Sequence, residues 1–320
     1  MEQKEIPEVT LNSGHKMPML AFGTAALSLR PNDELIAVFF AAIEAGYRHF
    51  DTAAMYGSEE AVGLAIAQAQ KQGLIKNRDA IFVTTKLWCT DAHPDLVLPA
   101  LKNSLQKLGL EYVDLYLIHF PVRLRPRNGS NILKGGMLPF DIKGTWEAME
   151  ECSKLGLTKS IGVSNFGAKK LSELLQNATT PPAINQVEMN VAWQQGNLRK
   201  FCQEKGIHMS AWSPLGANGA LWGSLAVMES PMLKDIAITT GKSVPQIALR
   251  WVLEQGVTPV VKSFNKVRMR ENLHIFNWVL STNDLVKIKQ IPQRRAGLVR
   301  DFVSEDGPYK TLEDLWNGEL

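Results

Sequence analysis

The feature that most constrains this chain is a repeat. A short apolar run is followed by a polar or glycine break and then by an amphipathic stretch, eight times over. The runs fall at 19–22, 47–51, 81–86, 113–119, 160–163, 184–187, 208–211 and 258–261. Helical spacing of apolar residues fills most of the gaps, over 33–45, 58–72, 94–108, 143–154, 168–176, 196–204 and 244–253. Strands separated by helices pair as parallel neighbours, because a parallel pair needs a crossover. Eight such units favour closure into an α/β (β/α)8 TIM barrel over an open sheet. Two segments lie outside the repeat. Residues 7–19 read as a β-hairpin turning at Asn12-Ser13-Gly14-His15, placed to plug one end of the barrel. Residues 292–320 form a long C-terminal tail with Phe302, Pro308, Tyr309 and Trp316, suited to lie over the barrel mouth. No Ser/Gly-rich linker or charge block divides the chain, so residues 1–320 are expected to form a single domain.

Composition excludes several function classes. A net charge of +3 over 320 residues gives no reason to expect a nucleic-acid or membrane partner. The longest apolar runs, such as Leu115-Tyr116-Leu117-Ile118, are far too short to span a bilayer. The first residues are polar, with no apolar signal region behind them. Three widely spaced cysteines, Cys89, Cys152 and Cys202, suit neither a disulfide framework nor a zinc site. No metal is expected, and the compartment is read as cytoplasmic.

Several strands end in ionisable groups. The run 47–51 ends in Asp51, 81–86 in Lys86 and 113–119 in His119. In a barrel these ends converge at the C-terminal mouth, where active sites of this architecture lie. Tyr56 follows Asp51 by five residues, in the loop leading to the next helix. A phenol near pKa ~10 is a weak acid at neutral pH. An adjacent Lys86 ammonium, held by Asp51, is expected to lower it. His119 can hydrogen-bond a substrate oxygen. Together the four could protonate a carbonyl oxygen as hydride reaches its carbon. Each residue alone would more often be structural; three consecutive strands feeding one rim carry the reading. His15, His93, His208 and His274 are read as turn-like or exposed and without a role, and His49 as a satisfied core histidine.

At Gly46-Tyr47-Arg48-His49-Phe50-Asp51-Thr52-Ala53, followed by Tyr56, Glu59 and Gly63, the chain resembles the aldo-keto reductase superfamily. Leu115-Tyr116-Leu117-Ile118-His119, Ile161-Gly162-Val163-Ser164-Asn165-Phe166 and Lys262-Ser263 with Arg268, Glu271 and Asn272 extend the resemblance over most of the length. It implies a catalytic tetrad of Asp51, Tyr56, Lys86 and His119. It also implies NADPH, with Ser164, Asn165 and Gln186 on the carboxamide and Trp212 stacked on the nicotinamide. Lys262, Ser263 and Arg268 would meet the 2′-phosphate. Gly23, Thr24, Asp51, Ser213, Leu215, Phe264, Glu271 and Asn272 complete the implied cofactor set. Leu87-Trp88-Cys89-Thr90-Asp91-Ala92-His93 resembles the plant branch that includes codeinone, methylecgonone and chalcone reductases. Trp212 stands where the family often has Tyr, and Phe120 where many members have Trp; Val261 and Ala21 replace a common Pro and Gly.

The expected reaction is reduction of a ketone or aldehyde on a small, rather apolar plant metabolite, an alkaloid-type ketone being favoured. Met55, Trp88, Phe120, Trp193, Trp222 and Phe302 are the candidate pocket residues, and the resemblance implies a monomer. A polyketide-type reductase beside a synthase, or a non-catalytic NADPH-binding protein, are the alternatives. A doubly wound dehydrogenase would want Gly-x-Gly-x-x-Gly, which does not occur. A serine hydrolase elbow fails at Phe166, where Gly162-Val163-Ser164-Asn165 lacks its final glycine.

Overall fold

The computed structural model describes residues 6–25, 32–125, 136–220 and 222–319. In chain order, the first third holds β1 (Glu8–Thr10), β2 (Lys16–Pro18), β3 (Ala21–Gly23), α1 (Asn32–Ala45), β4 (His49–Asp51), α2 (Glu59–Lys71), β5 (Phe82–Leu87) and α3 (Val97–Leu108). Then come β6 (Val113–Ile118), β7 (Arg123–Leu124), β8 (Met137–Leu138), α4 (Ile142–Lys154), β9 (Thr158–Ser164), α5 (Ala168–Asn177), β10 (Ile184–Glu188) and α6 (Gly196–Glu204). The remainder is β11 (His208–Trp212), α7 (Pro231–Thr240), α8 (Val244–Glu254), β12 (Thr258–Val261), α9 (Lys266–Leu273), α10 (Thr282–Lys289) and α11 (Leu312–Trp316). Strands β3, β4, β5, β6, β9, β10, β11 and β12 close in that order into a parallel barrel, β12 pairing with β3. Each coincides with one of the eight apolar runs.

Sidedness follows from the period-two alternation of strands. Phe50 of β4 turns outward and meets Phe22 and Phe39, and Phe22 also meets Phe39 and Tyr47, with ring centroids 5.1–6.3 Å apart, sealing β3 and β4 against α1. Its neighbours His49 and Asp51 turn inward. The lower interior is apolar: Leu11 and Met17 from the β1–β2 hairpin pack on Phe82, Leu115, Leu117, Ala183 and Ile184. Asn12 Nδ2 donates to the carbonyls of Pro182 and Gly206 at 3.0 and 3.1 Å, and the Ser13 and Ser160 hydroxyls lie 2.8 Å apart. The hairpin therefore plugs the N-terminal end.

His49 is the satisfied core histidine expected, 3.3 Å from Pro18 O and 2.9 Å from Thr84 Oγ1. His208 departs from expectation: it opens β11 and its Nε2 lies 2.9 Å from Thr258 Oγ1. His93 also departs, being buried in a bend, where it bonds Leu124 O and accepts from Arg123 Nε. Burial pushes both His49 and His208 down to about 4 from 6.5. The unfolded chain then binds protons that the fold does not. The contribution of the two imidazoles is fully present above pH 6.5 and is lost as pH falls towards 4. Urea unfolding should show a lower stability at pH 5 than at pH 7, with a smaller difference in His49→Gln. An identical difference in that variant would show that His49 does not titrate on unfolding.

Helices α2 and α3 touch at Gly63, where an added Cβ would stand 1.9 Å from Leu108 O. Because the obstacle is backbone, Gly63→Ala should cost about 1–3 kcal/mol or more through overpacking. A thermal midpoint equal to that of the wild type would show that the two helices can separate there.

The tail returns to the mouth end. Tyr309 donates to Pro121 O at 2.7 Å, and Trp316 Nε1 donates to Leu298 O at 3.2 Å. Lys170 Nζ, buried on α5, donates to Leu315 O and Asn317 Oδ1 at 2.6 and 2.7 Å. Glu319 accepts from Ala168 N at the start of α5. Among the described residues no helix is long and apolar enough to cross a membrane, and no His/Cys/Asp/Glu group could hold a metal ion. All three cysteines are buried as free thiols.

Candidate active site at the barrel mouth

β4, β5 and β6 are neighbours in the barrel, so the residues that end them are delivered to one rim. Lys86 is fully buried, with Nζ 2.5 Å from Asp51 Oδ1, 3.0 Å from Thr52 O and 3.5 Å from the Tyr56 hydroxyl. On the other side of that hydroxyl, His119 Nε2 lies at 3.4 Å. From across the barrel, Gln186 Nε2 of β10 donates to Asp51 Oδ2 at 2.7 Å. Each oxygen of the Asp51 carboxylate thus has a donor, which offsets the cost of burying it.

Tyr56 closes a single 3-10 turn, Ala54–Tyr56, followed by Gly57 in the left-handed region at φ +66°. Three hydroxyls brace this loop from behind. Ser58 Oγ lies 2.8 Å from Thr24 Oγ1 and 2.9 Å from Thr52 Oγ1, and Thr24 also donates to Asp51 O. Thr85 Oγ1 donates to the buried Glu59 at 2.7 Å. Ser58 carries no signal in the sequence, since its partners are 6 and 34 residues away.

The electrostatics correct one expectation. Burial raises the Tyr56 phenol above its ordinary value; Lys86 pulls it down without reversing the shift, and Asp51 adds to the rise. The phenol is therefore protonated at neutral pH, the form a proton donor needs. Burial alone would lower Lys86, but Asp51 and Tyr56 carry it above its ordinary value, so it stays charged. Burial, reinforced by Lys86, holds His119 well below its ordinary value and neutral. His119 Nδ1 is buried with no hydrogen-bond partner among the described residues. A buried N–H left without an acceptor is costly, so the proton belongs on Nε2, facing the Tyr56 hydroxyl. A carbonyl oxygen set between these two groups would meet two donors, with an ammonium behind the phenol to stabilise the phenolate left after transfer.

The other rim residues form a second cluster. Ser164 Oγ donates to Gln186 O at 2.7 Å. Asn165, in the left-handed region at φ +64°, donates to His119 O at 2.9 Å and accepts from Trp212 Nε1 at 3.0 Å. Trp212 ends β11, half-buried at the rim, and Ser213 and Leu215 follow it. Gly23 ends β3 and Thr24 follows it, both buried. Beyond β12, Lys262 donates to Ala25 O, Ser263 accepts from Asn265 N, and Phe264 lies beneath the Lys262 ammonium. Asn265 caps α9, whose first turn carries exposed Arg268; Glu271 is exposed, whereas Asn272 is buried.

Of the candidate pocket residues, Trp88, Phe120 and Phe302 form one aromatic wall with His119, ring centroids 5.2–6.5 Å apart. Met55 and Trp222 are exposed, at 47% and 42%. Trp193 stands under Arg295, in no ring contact with that wall. Sequence reasoning missed Glu188, Arg295 and Gly297. The Glu188 carboxylate, nearly fully buried at the end of β10, accepts from Ala296 N and Gly297 N in the tail.

Comparison with known proteins fits this geometry. The Aldo/keto reductase family matches residues 19–293. Rhazimal reductase 2 of Alstonia scholaris is 55% identical, covering 100% of this chain and 99% of its own length. NADPH-dependent codeinone reductase 1-4 of Papaver somniferum is 54% identical, with 99% of each covered. The crystal structure of a Bombyx mori aldo-keto reductase in complex with NADP superposes with a TM-score of 0.84 at 39% identity, covering 93% of this chain and 97% of that one. With its closed parallel barrel and a match that runs from the first barrel strand to beyond the last, this chain belongs to the aldo/keto reductase family.

Proposed function

We propose that the protein is an NADPH-dependent reductase that converts a ketone or aldehyde on a small, mostly apolar plant metabolite to an alcohol, an alkaloid-type ketone being favoured. The observation that carries the proposal is the Tyr56 hydroxyl, set 3.5 Å from Lys86 Nζ and 3.4 Å from His119 Nε2. Tyr56 is the proton donor. Lys86, fixed by Asp51, stabilises the phenolate that remains. His119 orients the substrate oxygen through Nε2–H. The chemistry the cofactor supplies when bound is transfer of a hydride to the carbonyl carbon.

The residues present suit that cofactor. An amide group needs donors and an acceptor together, and Ser164, Asn165 and Gln186 offer both at the rim, already bonded to one another. Trp212 offers an indole face beside them. Lys262, Ser263 and Arg268 surround the N-terminus of α9, where two cationic groups, a hydroxyl and the positive end of the helix dipole favour a phosphate. The reductase relatives named for NADPH, codeinone and rhazimal support the cofactor and the alkaloid class. The aromatic wall of Trp88, Phe120 and Phe302 supports a flat or polycyclic apolar substrate.

Arg268→Ala should weaken NADPH by about 10–100-fold, the worth of a charge-assisted hydrogen bond, and NADH hardly at all. Equal losses for both would remove Arg268 from the 2′-phosphate. The experiment that tests the function follows NADPH absorbance with a bicyclic tropinone-like ketone, a morphinan ketone and an aromatic aldehyde. Oxidation much faster with NADPH than NADH supports the reading. Binding of NADPH without turnover of any of them would favour a binding protein, or a reductase whose substrate exists only beside a synthase.

A further inference from the structure

We infer that Glu188 is a positioning residue for Trp212, pinning the C-terminal tail against the edge of that indole. The inference rests on the reading that Trp212 stacks on the nicotinamide. Glu188 follows Gln186 by two residues on β10, so both point into the mouth. Its side chain is 1% exposed. A carboxylate so placed is costly unless its charge is met. Here one oxygen accepts from Ala296 N at 3.1 Å and the other from Gly297 N at 2.8 Å. Arg295, the next residue back, is itself buried, 3.6 Å over the Trp316 ring and 5.4 Å over the Trp193 ring. The tail is therefore anchored at 295–297 by one acidic side chain rising from the barrel.

What the anchor presses against gives it its function. A Cβ on Gly297 would stand 2.4 Å from Trp212 Cη2 and 3.0 Å from Glu188 Oε2. The tail backbone thus lies directly on the benzo edge of the indole, at a point where only glycine fits. The opposite edge of the same ring is held by its N–H, which donates to Asn165 Oδ1 at 3.0 Å. A single hydrogen bond leaves an indole free to rock about its χ2 torsion. Contact on both edges removes that freedom and presents one fixed face to whatever stacks on it. Asn165 also donates to His119 O, so the platform and the group that orients the substrate oxygen share one frame.

The test uses the full-length protein and three variants. Glu188→Gln keeps the shape but turns one acceptor into a donor facing an N–H. Gly297→Ala pushes the indole while leaving the carboxylate intact. Trp212→Leu removes the platform. Amide hydrogen exchange over 294–299 is read in cofactor-free protein, NADPH affinity by fluorescence titration, and kcat separately from KM. Glu188→Gln should speed exchange in that segment about tenfold, as loss of one hydrogen bond predicts, and weaken NADPH by a similar factor, with barrel strands unchanged. Gly297→Ala should weaken NADPH and lower kcat while the tail amides stay protected. If Glu188→Gln frees the tail but NADPH affinity and kcat stay at wild-type values, Glu188 only anchors the tail and the inference is wrong. If Trp212→Leu leaves NADPH affinity unchanged, the stacking reading fails and takes the inference with it. If Trp212→Leu weakens NADPH and neither other variant does, the inference alone fails.

Discussion

Tyr56→Phe should bind NADPH as tightly as the wild type and lose about 10²–10⁴-fold in kcat, the range expected when a general acid is removed. The substitution deletes one oxygen from a half-buried ring. His119, stacked on Phe120 with ring centroids 5.2 Å apart, keeps its position without it. Lys86 keeps its contacts with Asp51 and Thr52. The proposed cofactor residues lie on other strands, so affinity should not move. Fluorescence titration checks affinity, and carbonyl-dependent NADPH oxidation checks rate. Turnover within a few-fold of wild type would pass the proton donor's role to another group, with His119 the nearest. Because burial raises the phenol, its loss of activity at high pH should come well above neutrality.

Lys86→Met should be the most disruptive single change, because it acts on stability and on chemistry together. It leaves the Asp51 carboxylate buried with only the Gln186 amide opposite. Removing one partner of a buried ion pair costs roughly 3–5 kcal/mol, much of it the penalty of the stranded charge. Urea unfolding should register that loss. Adding Asp51→Asn to Lys86→Met removes the stranded charge, so the double variant should recover much of the stability and none of the activity. A single variant as stable as wild type would mean that Asp51 is adequately solvated or bonded without Lys86. A double variant that regains turnover would show that no ammonium is needed behind the phenol.

The parts of this molecule visible in its sequence are those encoded by short-range periodicity. All eight barrel strands were readable because each is an apolar run broken by glycine or polar residues. Asp51, Lys86 and His119 were readable because each closes such a run. Helix α9, Lys266–Leu273, was not, because its residues KVRMRENL are mostly polar and give no apolar stripe. Helix α7 escaped despite the cap at Ser230, since it scatters apolar residues around its circumference: Leu233 and Ile236 are buried while Ile238 is 81% exposed. The pairing of β7 with β8 rests on two residues from each strand, too few for a pattern. The Tyr56 shift was misread for a different reason. Its sign depends on the balance between burial and the Lys86 charge, and burial is not written in a sequence. Glu188 was invisible because the N–H groups it serves lie 108 and 109 residues further on.

The bond from Gln186 to Asp51 joins residues 135 positions apart and crosses the interior of the ring. It requires β4 and β10 to face each other across the curved sheet, with β5, β6 and β9 already paired between them. A refolding chain should therefore regain helical content well before it regains turnover, because contacts so distant in sequence carry a large loop-closure cost and form late. Catalytic competence in this protein is a clock for assembly of the mouth, and an enzyme assay during renaturation would time that late event directly.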